Sequence, residues 1–478
     1  MTAPLETPPA ALAPPATAAR FWSAVREALH GSRQDFTQGS IPRAILLLAV
    51  PMVLEMALES VFAVVDVFFV GRLGADAVAT VGLTESMLAL LYAAALGLGV
   101  GATAMVARRI GEHDARGAAH VAGQAVVLGL LVALIMGAAG TMLAPQLLSA
   151  MGASSAVVAQ GTMYTRVMLG GSGTILMLFL VNAIFRGAGD AAVAMRVLWL
   201  ANLINIVLDP CLIFGLGPFP HLGVTGAAIA TTTGRGIGAL YALYRLTRPG
   251  GRVAVRLRDL PFDPHVMGRL VRLSGSGAFQ SLIGTASWIG LVRIASTFGS
   301  TVLAGYTIGM RVVVFALLPS WGLSNAAATM VGQALGAGRP DRGEQAVRMT
   351  GFYNCCVLSV VGVLFVAAAH PIVGLFTSDP AVLRTGTDCL RVIAIGFPFY
   401  AYGMVVTQAF NGAGDTWTPT WLNFVIFWLW EIPLAYCLAI TLHFGPRGVF
   451  AAVAIAFSTF AVAAVLLFRR GRWKRVAA

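Results

Sequence analysis

The chain has 478 residues, of which 58% are hydrophobic and 11% are charged. An average soluble protein is about half apolar and about a quarter charged, so this composition excludes an ordinary soluble fold. Lipid leaves only helices and closed barrels as spanning structures, and the residue-by-residue alternation of barrel strands is absent. The formal net charge of +12 would suggest a nucleic-acid partner in a soluble protein. The positions of the charges predict membrane orientation instead, and no nucleic-acid partner.

The first 36 residues are rich in Pro and Ala and lack an uninterrupted apolar stretch, which predicts a disordered cytosolic tail and not a signal peptide. Residues 21–29 within it could also form an amphipathic helix on the membrane surface. Twelve apolar stretches follow, each long enough to cross a bilayer core of about 30 Å. We expect them at 43–70, 79–106, 120–145, 157–184, 193–215, 223–245, 268–296, 302–331, 347–372, 385–409, 418–442 and 447–468. They predict an all-α polytopic membrane protein.

Arginines are concentrated in alternate loops of this twelve-helix arrangement. One set of loops holds, among others, Arg108, Arg109, Arg116, Arg248, Arg252, Arg256, Arg258, Arg339, Arg342 and the basic end of the chain from Arg469. The opposite loops hold little beyond Arg72, Arg384 and Arg447. Because Lys and Arg collect in short cytoplasmic loops, both termini are predicted to be cytoplasmic in the inner (plasma) membrane, with basic helix ends facing anionic lipid.

The two halves of the chain resemble each other at a shift of 225 residues. At this shift FRGAGD, from Phe185, coincides with FNGAGD, from Phe410, and Gly74 coincides with Gly299. Two six-helix lobes of the same topology should be related by a pseudo-two-fold axis along the membrane normal, with an alternating-access cleft between them. The predicted divisions are the tail 1–36, the N-lobe 37–245, a cytosolic linker 246–267, the C-lobe 268–470 and a basic tail 471–478. No filter motif or ring of charges indicates a channel.

Ionisable residues inside the spans are candidate functional groups, because burying a charge in a membrane is costly. Glu55, Glu59 and Asp66 lie within about 40 degrees of one another on the first predicted helix. Asn205 and Asp209, four residues apart, share a face of the fifth. Structural roles stay open for Glu55 and Glu59, since one of them could lie near the cytoplasmic mouth or could pair with an arginine.

The second half lacks most of these groups. At the repeat shift Glu55 corresponds to Gln280, Asp66 to Leu291, Asn205 to Trp430 and Asp209 to Leu434. This asymmetry favours a functional role for the first-half carboxylates, since the second half builds the same architecture without them. Gln280, Glu85 and Glu431 are candidates for lining the cleft, and Arg235 is interpreted as lying near a span end or snorkelling to the interface.

Five fragments together resemble one known family. They are VVDVFFVGRLGADAVA, ATAMVARRIGEHDARGA, AATMVGQALGAGRPDRGE, the pair FRGAGD and FNGAGD, and NIVLDP. In this order they are similar to the multidrug and toxic-compound extrusion (MATE) transporters, over nearly the whole chain after the tail. The resemblance implies a secondary antiporter, not an enzyme, that exports amphipathic cationic compounds in exchange for H⁺ or Na⁺.

The distribution of acids is similar to that of the DinF-like branch, in which a first-lobe cluster binds the coupling cation. By that resemblance Asp66, Asn205, Asp209 and Thr231 form the coupling site. The carboxylate, amide and hydroxyl oxygens suit Na⁺, and so does the backbone carbonyl that Pro210 leaves without a hydrogen bond one turn earlier. A buried carboxylate suits a proton. Both coupling ions therefore stay open.

No cofactor or metal site is expected, because no Cys or His falls at the spacing that such sites need. The expected partners are small amphipathic substrates and membrane lipids, with a monomeric chain. A flippase for a lipid-linked precursor is the alternative, although its cleft would be expected to carry several Arg or Lys. No HExxH, GxSxG or Walker-type motif supports an intramembrane enzyme or an ATP-driven pump.

Overall fold

The computed structural model describes residues 17–32 and 34–476, without the side chains of residues 17–20, 63, 64, 66, 67 and 75. Within the predicted tail, residues 17–30 form helix α1, and residues 1–16 lie outside the described residues. The helices are α1 Thr17–His30, α2 Ile41–Val70, α3 Ala75–Gly111, α4 Ala115–Ala150, α5 Ser155–Gly170, α6 Ser172–Ala188, α7 Ala191–Phe214, α8 Val224–Thr247, α9 Pro264–Ser296, α10 Ser300–Gly336, α11 Pro340–Gly374, α12 Pro380–Ala394, α13 Phe397–Ala413, α14 Trp417–Asn423, α15 Ile432–Tyr436 and α16 Pro446–Arg469. Two π-helical segments, Phe424–Glu431 and Cys437–Thr441, flank α15. No strand occurs among the described residues.

The helix limits repeat as the sequence predicts. Helix α3 (75–111) and helix α10 (300–336) begin and end 225 residues apart, and so do α6 (172–188) and α13 (397–413). We call α2–α8 the first lobe and α9–α16 the second lobe. Each lobe is built around its own cluster of buried apolar side chains, one within residues 70–273 and one within 291–473.

The lobes form a polytopic membrane protein. Nine helical segments of the described chain are long and apolar enough to cross a bilayer, or ten if α12 and α13, bent by 57° against each other, make one span. Helices α8 and α9 occupy predicted spans but are not among these, since polar residues interrupt both. The predicted count of twelve is therefore not confirmed. Large apolar side chains face outward, among them Leu134 (69% exposed) and Met142 (75% exposed), as expected for a surface solvated by lipid.

One end of the bundle carries the described N-terminal residues, the linker and the C-terminal segment, and we call it the terminal face. Residues 31, 32 and 34–40, the strap, cross this face, and three arginines bind the backbone carbonyls of the strap. Arg252 of the linker donates to the carbonyls of Ser32 and Gln34 at 2.9 and 2.6 Å. Arg342 of α11 donates to those of Phe36, Gly39 and Gln38 at 2.7–2.9 Å, and Arg339 donates to that of Thr37 at 3.1 Å. The strap thus joins the linker to the second lobe.

Asp35 fixes the local conformation of the strap. Its carboxylate accepts hydrogen bonds from the backbone N–H and the hydroxyl of Thr37, at 2.8 and 2.6 Å. Burial opposes ionisation of Asp35, but the hydrogen bonds from Thr37 and the charges of His113 and Arg252 together outweigh it and hold the pKa below its usual value. Asp35 is therefore ionised at neutral pH.

Helices α3 and α10 cross at the terminal face, where the last glycine of each helix lies against the backbone of the other. A Cβ added to Gly111 would collide with the backbone carbonyl of Gln333, and one added to Gly336 would collide with that of Arg108. These backbones approach so closely that no side chain fits between them. Small residues permit the same close helix contacts in other membrane proteins.

Gly111→Ala is therefore expected to destabilise the protein by about 1–3 kcal/mol, because the obstructing atoms are backbone and cannot rotate away. Gly82→Ala on the same helix is the matched control, since nothing lies within 4 Å of the position where its Cβ would be. The control should be neutral or stabilising by up to about 1 kcal/mol. Thermal unfolding in detergent compares the two variants, and equal melting temperatures would contradict the proposed close contact.

Candidate functional site

Polar side chains from four helices meet inside the first lobe. We call this set the first-lobe polar cluster, and its described members are Glu55 and Glu59 of α2, Arg186 of α6, Asn202, Asn205 and Asp209 of α7, and Thr231 and Arg235 of α8. Most of them are nearly inaccessible to solvent. Buried polar groups persist only when they find partners, so the contacts within the cluster determine what it can do.

Glu55 forms a buried ion pair with Arg186. Its side chain is 2% exposed and that of Arg186 is 13% exposed, and Arg186 Nη1 lies 2.6 Å from Glu55 Oε1. Arg186 belongs to the FRGAGD sequence at the end of α6. The backbone carbonyl of the same residue accepts a hydrogen bond from Thr329 of α10 at 2.9 Å. Glu55 thus pairs with an arginine, one of the two roles left open by the sequence, and it does so where the lobes meet.

Glu59 lies one turn further along α2 and faces α7 and α8. Asn202 donates to Glu59 Oε2 at 3.0 Å, and Arg235 Nη2 lies 3.7 Å from Oε1. Arg235 also donates to the hydroxyl of Tyr92 at 2.7 Å and lies over the ring of Phe62. With only 5% of its surface exposed, Arg235 is a buried member of the cluster. The prediction that it lies near a span end or snorkels to the interface is wrong.

Asn205, Asp209 and Thr231 form the innermost part of the cluster. The Asn205 amide donates to Thr231 Oγ1 at 3.0 Å and to Asp209 Oδ1 at 3.4 Å. Asp209 is fully buried, and Asn205 and Thr231 are 2% and 6% exposed. The side-chain oxygen of Asn205 is buried and accepts no hydrogen bond from the described residues. The spacing of four residues on α7 brings Asn205 and Asp209 together as predicted, and Thr231 joins them from α8.

The fourth residue of the predicted coupling site is Asp66. Its backbone continues α2 toward Val70. The side chain of Asp66 lies outside the described residues, so its placement with Asn205 and Asp209 stays a prediction.

Three further candidates lie on α3, on α9 and in the second lobe. Glu85 is exposed on α3, and Gln280 is half-buried on α9 with its carbonyl oxygen accepting no hydrogen bond from the described chain. Glu431 is 2% exposed and lies in the π-helical segment of the second lobe. Within the described residues, no three His, Cys, Asp or Glu side chains are grouped so that they could hold a metal ion.

Two cluster residues escaped the sequence reasoning. Arg186 stands in the FRGAGD sequence with no predicted partner, and Arg235 is interpreted as lying near a span end or snorkelling to the interface. A usable signal was present, since Arg235 lies four residues after Thr231 and therefore on the same face of α8. The pairing of Arg186 with Glu55 joins residues 131 positions apart, which periodicity on one helix cannot indicate.

The first lobe and the second lobe each match the same family description. A model of the MatE family matches residues 51–211 and again residues 278–437. The chain belongs to the MATE family of transporters. This result confirms the resemblance seen in the sequence, whereas membership of the DinF-like branch stays a prediction.

Relatives and solved structures of MATE proteins cover nearly the whole chain. The "Probable multidrug resistance protein NorM" of Thermotoga maritima is 26% identical over 438 residues, which are 91% of this chain and 94% of that protein. The "Multidrug export protein MepA" of Staphylococcus aureus is 23% identical over 440 residues, 90% of this chain and 94% of that protein. A crystal structure of an outward-facing multidrug resistance MATE transporter superposes with a TM-score of 0.87 at 27% identity, covering 92% of this chain and 98% of that chain.

Proposed function

We propose that this protein is a cation-coupled antiporter that exports amphipathic, cationic compounds in exchange for H⁺ or Na⁺. The observation that carries the proposal is the oxygen-rich group formed by Asn205, Asp209 and Thr231 inside the first lobe. It combines a fully buried carboxylate with an amide oxygen that accepts no hydrogen bond from the described residues. Such oxygens can coordinate a hard cation, and such a carboxylate can take up a proton.

Neighbouring side chains bind the two glutamates of the cluster. Glu55 pairs with Arg186, and Glu59 contacts Arg235 and Asn202. Asp209 lies against Asn205, which also contacts Thr231, and the oxygens of these three side chains can share a cation.

Coupling requires that the ion favour one state of the transporter. A ligand shifts a conformational equilibrium only through its different affinities for the two states. The lobes are closed against each other at the terminal face, which the distribution of arginines assigns to the cytoplasm. We propose that the cleft of this state opens to the outside. Cation binding at Asp209 is proposed to favour return to the inward-facing state after the substrate has left.

Names of relatives support the substrate class, since NorM and MepA are named as multidrug proteins. They do not favour the flippase alternative. We further propose that the chain acts as a monomer in the plasma membrane, with its termini cytoplasmic, and that it contacts lipid directly and needs no cofactor.

The proposal is tested with purified protein in liposomes loaded with a fluorescent cationic dye. A proton gradient and a sodium gradient are imposed separately, and the protein-dependent movement of dye is recorded. We expect one gradient to drive dye movement and the other to leave it at the level of protein-free liposomes. If neither gradient moves any of several dyes, the antiporter proposal fails, and transfer of a lipid-linked sugar becomes the assay for the flippase alternative.

A further inference from the structure

Glu431 is a buried carboxylate in the core of the second lobe. Only 2% of its surface is exposed, and no hydrogen bond or ion pair to its carboxylate occurs within the described part of the chain. It ends the π-helical segment Phe424–Glu431, which packs against α9, α14, α15 and α16. Burying an ionised carboxylate without a partner costs several kcal/mol or more. The carboxyl group is therefore neutral in this packing.

The π-helical segment places Glu431 at the position that Asn205 occupies in the first lobe. The buried face of α7 contains Ala201, Asn205, Asp209 and Ile213, and the buried face of 424–441 contains Phe427, Glu431, Ala435 and Ala439. Each of the second four lies 226 positions after its counterpart in the first, one more than the shift of 225 that relates α3 to α10. A π-helical turn accommodates one additional residue relative to an α-helical turn. Trp430, which the sequence aligns with Asn205, is instead turned outward and is 44% exposed.

Aromatic side chains of α10, α13 and α16 pack in the same apolar core as the π-helical segment. Tyr306 stacks on Phe450 and Tyr400 stacks on Phe457, with ring centroids 6.2 and 4.0 Å apart.

No cationic side chain of the packed segments compensates Glu431. Helix α14 has no titratable side chain. The charged and titratable side chains of the other three helices form no ion pair or hydrogen bond with Glu431 in the described chain: His265, Arg269, Arg272 and Arg293 on α9, Tyr436 on α15, and Arg447 and Arg469 on α16. Only hydration or a proton can therefore stabilise this carboxyl group.

We propose that Glu431 is a proton-exchanging group of the second lobe. It holds a proton while the lobe is packed around it, as in this structure. When the lobe opens to water, the O–H bond of the carboxyl breaks, the proton passes to water, and the carboxylate becomes hydrated. The place of this step in a transport cycle rests on the proposed function, whereas the exchange itself does not.

Infrared spectroscopy of the full-length protein in lipid membranes tests the exchange directly. A protonated carboxyl group has a C=O stretching band that disappears on ionisation. We expect wild-type protein to show such a band at neutral pH and to lose it as the pH is raised. Glu431→Gln, which has the shape of the protonated acid, should lose the contribution of Glu431 to the band, and Glu431→Asp should restore a shifted contribution. Glu344→Gln, at a partly exposed surface pair with Lys474, is the matched control and should leave the band unchanged.

An identical band in wild type and Glu431→Gln would overturn the proposal, and so would a Glu431 band that persists at every pH at which the protein stays folded. Proton release per transported dye molecule is measured on the same samples, and Glu431→Gln should reduce it. If wild-type protein transports no dye, the proposed function fails while the infrared result still decides the exchange. If transport is intact and the band titrates in wild type alone, both proposals are supported.

Discussion

Asp209→Asn is expected to reduce gradient-driven dye export about 5- to 150-fold while leaving the protein folded. Such factors correspond to a coupling free energy of about 1–3 kcal/mol between two sites of a protein. Asparagine has nearly the shape of aspartate, so packing beside Asn205 is retained. The substitution removes the negative charge that would bind a proton or share a cation with the neighbouring oxygens. Export is measured in dye-loaded liposomes under the gradient that drives the wild type.

Asp341→Asn is the matched control for this substitution. Asp341 lies at the terminal face, with its side chain 88% exposed and 3.2 Å from Lys474. Exposed ion pairs contribute about 0–1 kcal/mol, so export should stay at the wild-type level. If Asp209→Asn also exports dye at the wild-type rate, Asp209 is structural and the proposed coupling site is wrong.

Arg186→Ala is expected to lower the free energy of unfolding by about 3–5 kcal/mol, because it leaves the Glu55 carboxylate buried without its cation. The 2.6 Å contact and the low exposure of both side chains place this pair among the buried ones. The double variant Arg186→Met with Glu55→Gln removes both charges and should recover most of the lost stability. Thermal unfolding of the purified variants in one detergent measures the difference.

The control for this prediction is Arg348→Ala at an exposed pair of the same residue types. Arg348 and Glu344 lie 3.4 Å apart, with side chains 66% and 35% exposed. We expect its loss to cost no more than about 1 kcal/mol. A melting temperature for Arg186→Ala equal to that of Arg348→Ala would show that the buried pair contributes no more than a surface pair.

Local spacing predicted the part of the site that lies on one helix. Asn205 and Asp209 are four residues apart, and helical periodicity alone places them together. The shift of 225 residues likewise predicted the limits of α10 from those of α3, because both helices are regular. The spans were harder to count. Polar residues interrupt α8 and α9, so neither helix is apolar enough over the thickness of a bilayer to count as a span.

The sequence was less informative where partners come from different helices or where a helix is irregular. The burial of Arg235 depends on Glu59 and Tyr92, which lie on α2 and α3. The sequence alone does not reveal these partners. For an arginine in a membrane without partners, snorkelling to the interface has a lower energetic cost than burial. The constant shift pairs Asn205 with Trp430 and not with Glu431, because it assumes the same number of residues per turn in both lobes. The π-helical segment has more residues per turn than an α-helix. The constant shift therefore does not align Glu431, the buried carboxylate of the second lobe, with Asn205.

The arginines that bind the strap impose an unusual constraint on sequence divergence. Arg252, Arg339 and Arg342 contact backbone carbonyls, which every amino acid supplies in the same way. Most side chains of the strap can therefore change without loss of these bonds, with Phe36, packed under Arg252, as an exception. An inserted or deleted residue would displace every following carbonyl from its arginine. Among homologues that keep the three arginines, the strap should vary in composition and be constant in length.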